Sequence, residues 1–215
     1  MDFNRIDEVL NTAEEEYLLN VVEPPKRAHV NKDGILHSKR GESFKVLDEG
    51  QTAPHSSQRI LEYIKTVGWN LDFYTNSGSL KAGGFQWCGA FMAYCFKSVG
   101  LKKEIRVKTC PSTYRLYRDF QGTPRSIGLN DIQAGDVVVV GKKGSRAWGS
   151  HITIVTEVEE THVQTIEGNA HGISGGGQWM EGVIKRKRPF KKHAKKGESY
   201  VQFAYRFLDE DFEDA

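Results

Sequence analysis

The 215-residue sequence predicts an α+β fold, with N-terminal helices packed on an antiparallel sheet of about five strands. Two observations carry that reading. Apolar residues recur at three- and four-residue steps in three separate stretches within about the first hundred positions. Beyond Gly128 the pattern becomes short β-branched runs separated by glycines or charged turns. Helices first and strands second is the order of an α+β domain.

The elements follow in order. Phe3, Ile6, Val9, Leu10, Ala13, Tyr17 and Leu18 form one stripe and predict a helix over 2–19, stopped by Pro24 and Pro25. The next stretch, "KRAHVNKDGILHSKRGESFKVLDEG", is polar with little periodicity, so residues 1–50 read as a helix and linker arm. Ile60, Leu61, Ile64 and Val67 predict a second helix over 57–67, after capping serines and before Gly68. A third spans about 88–99, with Ala90, Phe91, Tyr94, Cys95 and Val99 on its buried side and Gly100 as its stop. Strands are predicted at 136–140, 151–158, 162–169, 182–188 and 201–207, and "EETH" suits a hairpin between the second and third. Residues 51–208 thus read as one domain and 209–215 as an acidic tail.

Composition bounds the function. Hydrophobic residues are 38% and charged residues 27%, a soluble globular balance, and no apolar run nears the roughly 20 residues that span a bilayer. The acidic, amphipathic N-terminus lacks the features of a signal peptide, so synthesis in the cytoplasm is expected. Cys88, Cys95 and Cys110 form no CxxC pair, which argues against a disulfide framework and a thiolate zinc site. The histidines show no metal spacing either, so neither metal nor cofactor is expected. Net charge is only +2, yet residues 185–196, "KRKRPFKKHAKK", are strongly basic. With no base-reading motif beside it, this block reads as a solvated hairpin or loop, and no nucleic-acid partner is expected. "GDVVVVGKKGS" is no phosphate loop, because five residues rather than four separate Gly135 from the Gly-Lys pair and Lys143 stands where Ser or Thr is needed.

One constellation carries chemistry. In "GGFQWCGAFMAYCF", residues 83–96, Cys88 sits where a glycine loop turns into an apolar helix, and a helix N-terminus favours thiolate over thiol. On the strand "HITIVTEV", His151 shares a face with Thr153 and Val155; on "HVQTIEGN", Glu167 shares one with Asn169. Hairpin pairing of these strands brings His151 beside the Glu167 to Asn169 end. Cys88 packed there completes a nucleophile, a base and an orienter. Glu167 serves best to hold the imidazole, while Asn169 shares the task or donates a hydrogen bond nearby. Gln86 and the Cys88 N–H are candidates for an oxyanion hole. Cys95 and Cys110 read as bystanders, and glycines 172–177 as a wide loop rimming the cleft.

The succession "WCGAFMAYCFKSVGL", "GDVVVV", "HITIVTEV" and "TIEGN" resembles the CHAP family of cysteine- and histidine-dependent amidohydrolases and peptidases, over about Ser57 to Arg188. The resemblance implies a papain-like core, with Cys88 as nucleophile, His151 as base, and Glu167 and Asn169 in the third and supporting positions. It further implies cleavage of amide bonds in bacterial peptidoglycan, by a phage lysin or a secreted antibacterial effector. Such a protein acts in the periplasm or at the cell wall after release by a holin or secretion apparatus, with a delivery or immunity protein as a further partner. Two alternatives stay open: an intracellular amidase on small peptide conjugates, and a non-catalytic module that grips an anionic polymer.

Overall fold

The four valines that open the second half of the chain lie inside a six-stranded sheet and are buried on both of its faces. The computed structural model describes residues 3–21, 29–30, 35–37, 43–45, 53–68, 87–102, 113–142, 149–173, 175, 177 and 179–213. Among them the helices are α1 (Phe3–Leu18), α2 (Ala53–Thr66), α3 (Cys88–Ser98) and α4 (Thr113–Phe120). The strands are β1 (His29–Val30), β2 (Ile35–His37), β3 (Ser43–Lys45), β4 (Ser126–Ile127), β5 (Val137–Gly141), β6 (His151–Val158), β7 (His162–Ile173), β8 (Trp179–Pro189) and β9 (Tyr200–Tyr205).

The main sheet runs β4-β9-β5-β6-β7-β8 with every pair antiparallel. The α+β class is therefore as predicted, but the strand count is six rather than about five. The additional strand, β4, is a two-residue edge piece paired with Ala204 and Tyr205, too short to leave a periodic trace in sequence. Residues 29–30, 35–37 and 43–45, read as part of the linker arm, form a separate three-stranded antiparallel sheet, β1-β2-β3. Of the glycines read as a wide loop, Gly172 instead pairs with Met180 within β7 and β8.

Alternation along each strand splits the core in two. One face carries Val137, Val139, Ile152, Ile154, Ile166 and Val183, and α1, α2, α3 and α4 cover it. The opposite face carries Val138, Val140, Val155, Val163, Val201 and Ala204, which cluster with Ile132 and with the partly buried Ile127, Leu129 and Phe190. A continuous valine run survives in β5 because neither face meets water. α1 places Val9 and Ala13 in the first core, and Val183 of β8 donates its N–H to the Val21 carbonyl at 2.8 Å.

Asp136, at the head of β5, is buried and accepts two hydrogen bonds from Arg206 at 2.8 Å and one from the Gln133 N–H at 2.8 Å. Gly135 before it has φ +86° and leaves only 2.9 Å between a notional Cβ and Ile6. The Gly-Asp pair is thus a structural corner.

Candidate active site

Cys88 owes its place to the residue before it. Trp87 is 1% exposed, its ring stacked on Tyr63 of α2 with centroids 5.7 Å apart. From the sheet side, Asn169 Oδ1 accepts the Trp87 N–H at 3.0 Å. The start of α3 is therefore clamped between α2 and β7, and no side chain caps it. Its unpaired N–H groups and positive dipole end lie at the Cys88 thiol, and the Gly89 and Ile152 N–H groups point at the sulfur.

His151, the first residue of β6, is the side-chain hydrogen-bond partner of that thiol. Its Nε2 lies 3.0 Å from Glu167 Oε2. Glu167 is fully buried, and Oε1 also accepts the Thr165 hydroxyl at 2.7 Å and Arg188 Nε at 2.6 Å, while Arg188 Nη2 reaches Oε2. An ionised carboxylate can only accept. Nε2 therefore carries the hydrogen shared with Glu167, and Nδ1 is left to face the sulfur.

Electrostatics follow from this line of groups. Burial pushes the Cys88 thiol up, but the His151 charge and hydrogen bond outweigh it and bring the thiol below its ordinary range. Burial works against the imidazolium too, yet Cys88 and Glu167 lift His151 to about 9. Glu167 is held well below the usual carboxylate range, because His151 and Arg188 overcome its desolvation. Each shift favours the ion pair of thiolate and imidazolium over the neutral pair. Cys95, in the same helix, meets no such partner; burial drives its thiol well above the ordinary value.

Residues 80–169 match the family model of the CHAP domain. The matched segment holds Cys88, His151 and Glu167 and ends on Asn169. CHAP domains are in general cysteine- and histidine-dependent amidohydrolases or peptidases that act on peptidoglycan. No curated protein and no solved structure matches the chain.

Within the matched segment the structure joins Cys88, His151 and Glu167 in one hydrogen-bonded line and gives Asn169 a different neighbourhood. Glu167 pairs with Ile184 and Ala170 with Gly182, so Gly168 and Asn169 together oppose Val183 in a bulge. Asn169, at φ +56°, binds Trp87 through Oδ1 and donates Nδ2 to Glu181 Oε1 at 2.9 Å. It braces the helix that bears the thiol rather than the imidazole. Gln86 lies outside the described residues, as does Cys110. Among the described residues no cluster of His, Cys, Asp or Glu could hold a metal ion, and no helix is long and apolar enough to cross a membrane.

Arg188 is the residue that sequence reasoning missed. It lies in the block read as a solvated hairpin, where Lys185 and Lys187 do meet exposed or partly exposed acids, Glu14 and Glu159. Arg188, paired across from Val163, instead shares the face of Thr165 and Glu167 and is buried. Its signal was the alternation of the strand, masked by three neighbouring cations.

Proposed function

We propose that the protein is a thiol hydrolase of amide bonds in bacterial peptidoglycan, with Cys88 as nucleophile and His151 as acid and base. The observation that carries this reading is the continuous hydrogen-bonded line from Cys88 through His151 to Glu167, with the sulfur at an uncapped helix start. Cys88 remains 6% exposed and the His151 side chain 14% exposed, which leaves both within reach of a substrate carbonyl.

The Cys88 thiolate attacks the amide carbon, and the developing oxyanion is met by the Cys88 N–H at the positive end of α3. Imidazolium Nδ1–H then passes its proton to the departing amine, the C–N bond breaks, and a thioester remains. Neutral His151 takes a proton from water, the resulting hydroxide attacks the thioester, and the carboxylic acid leaves as the thiolate re-forms. Glu167 holds the ring through Nε2 and stabilises its charge in both halves.

The test is digestion of purified sacculi by wild type and by Cys88→Ala, followed by mass spectrometry of the released muropeptides. Wild type is expected to release fragments with new amines, and Cys88→Ala none. Equal release by both, or none by wild type, refutes the reading. The fragment masses separate cleavage of a cross-link from cleavage between stem peptide and glycan.

A further inference from the structure

Glu167 can steer His151 only if the carboxylate is ionised and cannot turn. Neither condition comes free at a site with no solvent exposure, where an unpaired carboxylate takes up a proton. The four hydrogen bonds it accepts come from His151, Thr165 and twice from Arg188. Arg188 thus supplies half of them and the one permanent positive charge in contact. A guanidinium bound through Nε and Nη2 matches both carboxylate oxygens at once, which fixes the carboxylate plane as a single-point donor cannot.

We propose that Arg188 is the positioning residue of this site: its fork keeps Glu167 ionised and turned so that His151 presents a bare Nδ1 to the thiol. Were Glu167 protonated, its O–H would donate to Nε2. The ring would then carry its hydrogen on Nδ1, and that nitrogen could no longer accept the Cys88 proton. Arg188 acts through two residues and touches no reacting atom. The proposal rests on the thiol-hydrolase reading above.

The charged groups facing the carboxylate are His151 from β6, Arg188 and the half-buried Arg186 from β8, and Cys88 beyond the ring on α3. They make the two outcomes of removing Arg188 distinguishable. If the fork keeps Glu167 ionised, its loss lets Glu167 protonate, weakens the imidazolium and moves the pH midpoint of Cys88 thiolate formation upward. If Glu167 stays ionised without it, His151 keeps its proton and the midpoint stays near its wild-type position.

The experiment is iodoacetamide alkylation of Cys88 as a function of pH, read by peptide mass spectrometry, in wild type, Arg188→Gln and Arg188→Lys. Arg188→Gln is expected to raise the midpoint by about one pH unit or more and to lower kcat at least about 100-fold with little change in KM, while Arg188→Lys recovers most of the midpoint shift. A midpoint in Arg188→Gln that is unchanged or lower overturns the proposal. Should Arg188→Gln fail to give a cooperative thermal transition, Arg188→Lys decides alone. It keeps the charge but not the fork, so kcat must fall at least about tenfold, and wild-type kcat overturns the positioning role. A wild-type Cys88 that alkylates only in the ordinary thiol range instead sinks the hydrolase reading itself, a different failure.

Discussion

Gly168 is the point where fold and site are one problem. A Cβ added there would stand 2.5 Å from Phe91 Cβ, 2.8 Å from Phe91 Cγ and 2.8 Å from Trp87 Cζ3. Ordinary contact begins near 3.4 Å, so Gly168→Ala forces α3 and β7 apart by about 0.9 Å. Neither side can yield cheaply, because Phe91 and Trp87 are 1% exposed and Asn169 ties the Trp87 N–H to the same bulge. Overpacking of this kind costs about 1–3 kcal/mol. At roughly 2–4 °C per kcal/mol for a chain of this length, Tm should fall by about 2–12 °C. The same displacement moves Cys88 away from His151, and a misplacement near 1 Å costs about 100-fold in rate. Calorimetry with muropeptide release from sacculi measures both effects on one sample. A Gly168→Ala protein with wild-type Tm and wild-type turnover refutes the claim that close approach at this glycine sets the thiol.

Three further outcomes follow from the site's hydrogen bonds and charges. On the proposed mechanism turnover needs the Cys88 thiolate and a protonated His151, so the pH profile should rise below the ordinary thiol range and fall as pH passes about 9, where His151 loses the proton the leaving amine needs. Glu167→Gln removes part of that support and should move the alkaline limb to lower pH; an unmoved limb argues against Glu167 as the holder. Asn169→Asp keeps an acceptor for Trp87 but loses the donor to Glu181 and sets two carboxylates together. Its kcat should fall about tenfold or more, the scale of one lost buried hydrogen bond with its partner left unpaired; alkylation of Cys88 at fixed pH checks whether the thiol has been displaced.

The legible parts of the sequence are those with a regular period or an unbroken β-branched run. The third helix and β6 are legible almost to the residue, the helix between its uncapped start and Gly100 and the strand through its alternating inward side chains. His151 and Glu167 were legible for the same reason, since alternation and hairpin pairing fix which side chains meet. Asn169 defeated that logic: a strict period of two sets it on the face of Glu167, but the bulge at Gly168 and Asn169 turns it toward Trp87. A left-handed asparagine after a glycine is common in bulges and in turns, and nothing local separates the two. Arg188 was hidden by composition, because a lysine-rich run looks the same whether one member is buried or none is.

Four acids are buried among the described residues, and each meets an arginine: Glu16 with Arg59, Asp136 with Arg206, Glu167 with Arg188, and Asp211 with Arg125. Burying a pair of charges costs several kcal/mol per ion, which the attraction repays only when the remaining lone pairs are filled. In three of the four the filling groups are fixed donors: the Tyr63 hydroxyl on Glu16, the Gln133 N–H on Asp136, and the Leu208 N–H on Asp211. Those arginines keep side-chain exposures of 29%, 23% and 21%, so water still solvates part of the guanidinium. Arg188 keeps 9%, and beside the Thr165 hydroxyl the remaining partner on its acid is an imidazole whose proton can move. The costliest of the four pairs is thus the one attached to a group that titrates. A fold needing only cross-links between elements would choose the cheaper, half-wet form it uses three times elsewhere. Full desolvation makes sense at Glu167 because there the carboxylate's charge must act on His151 without being screened.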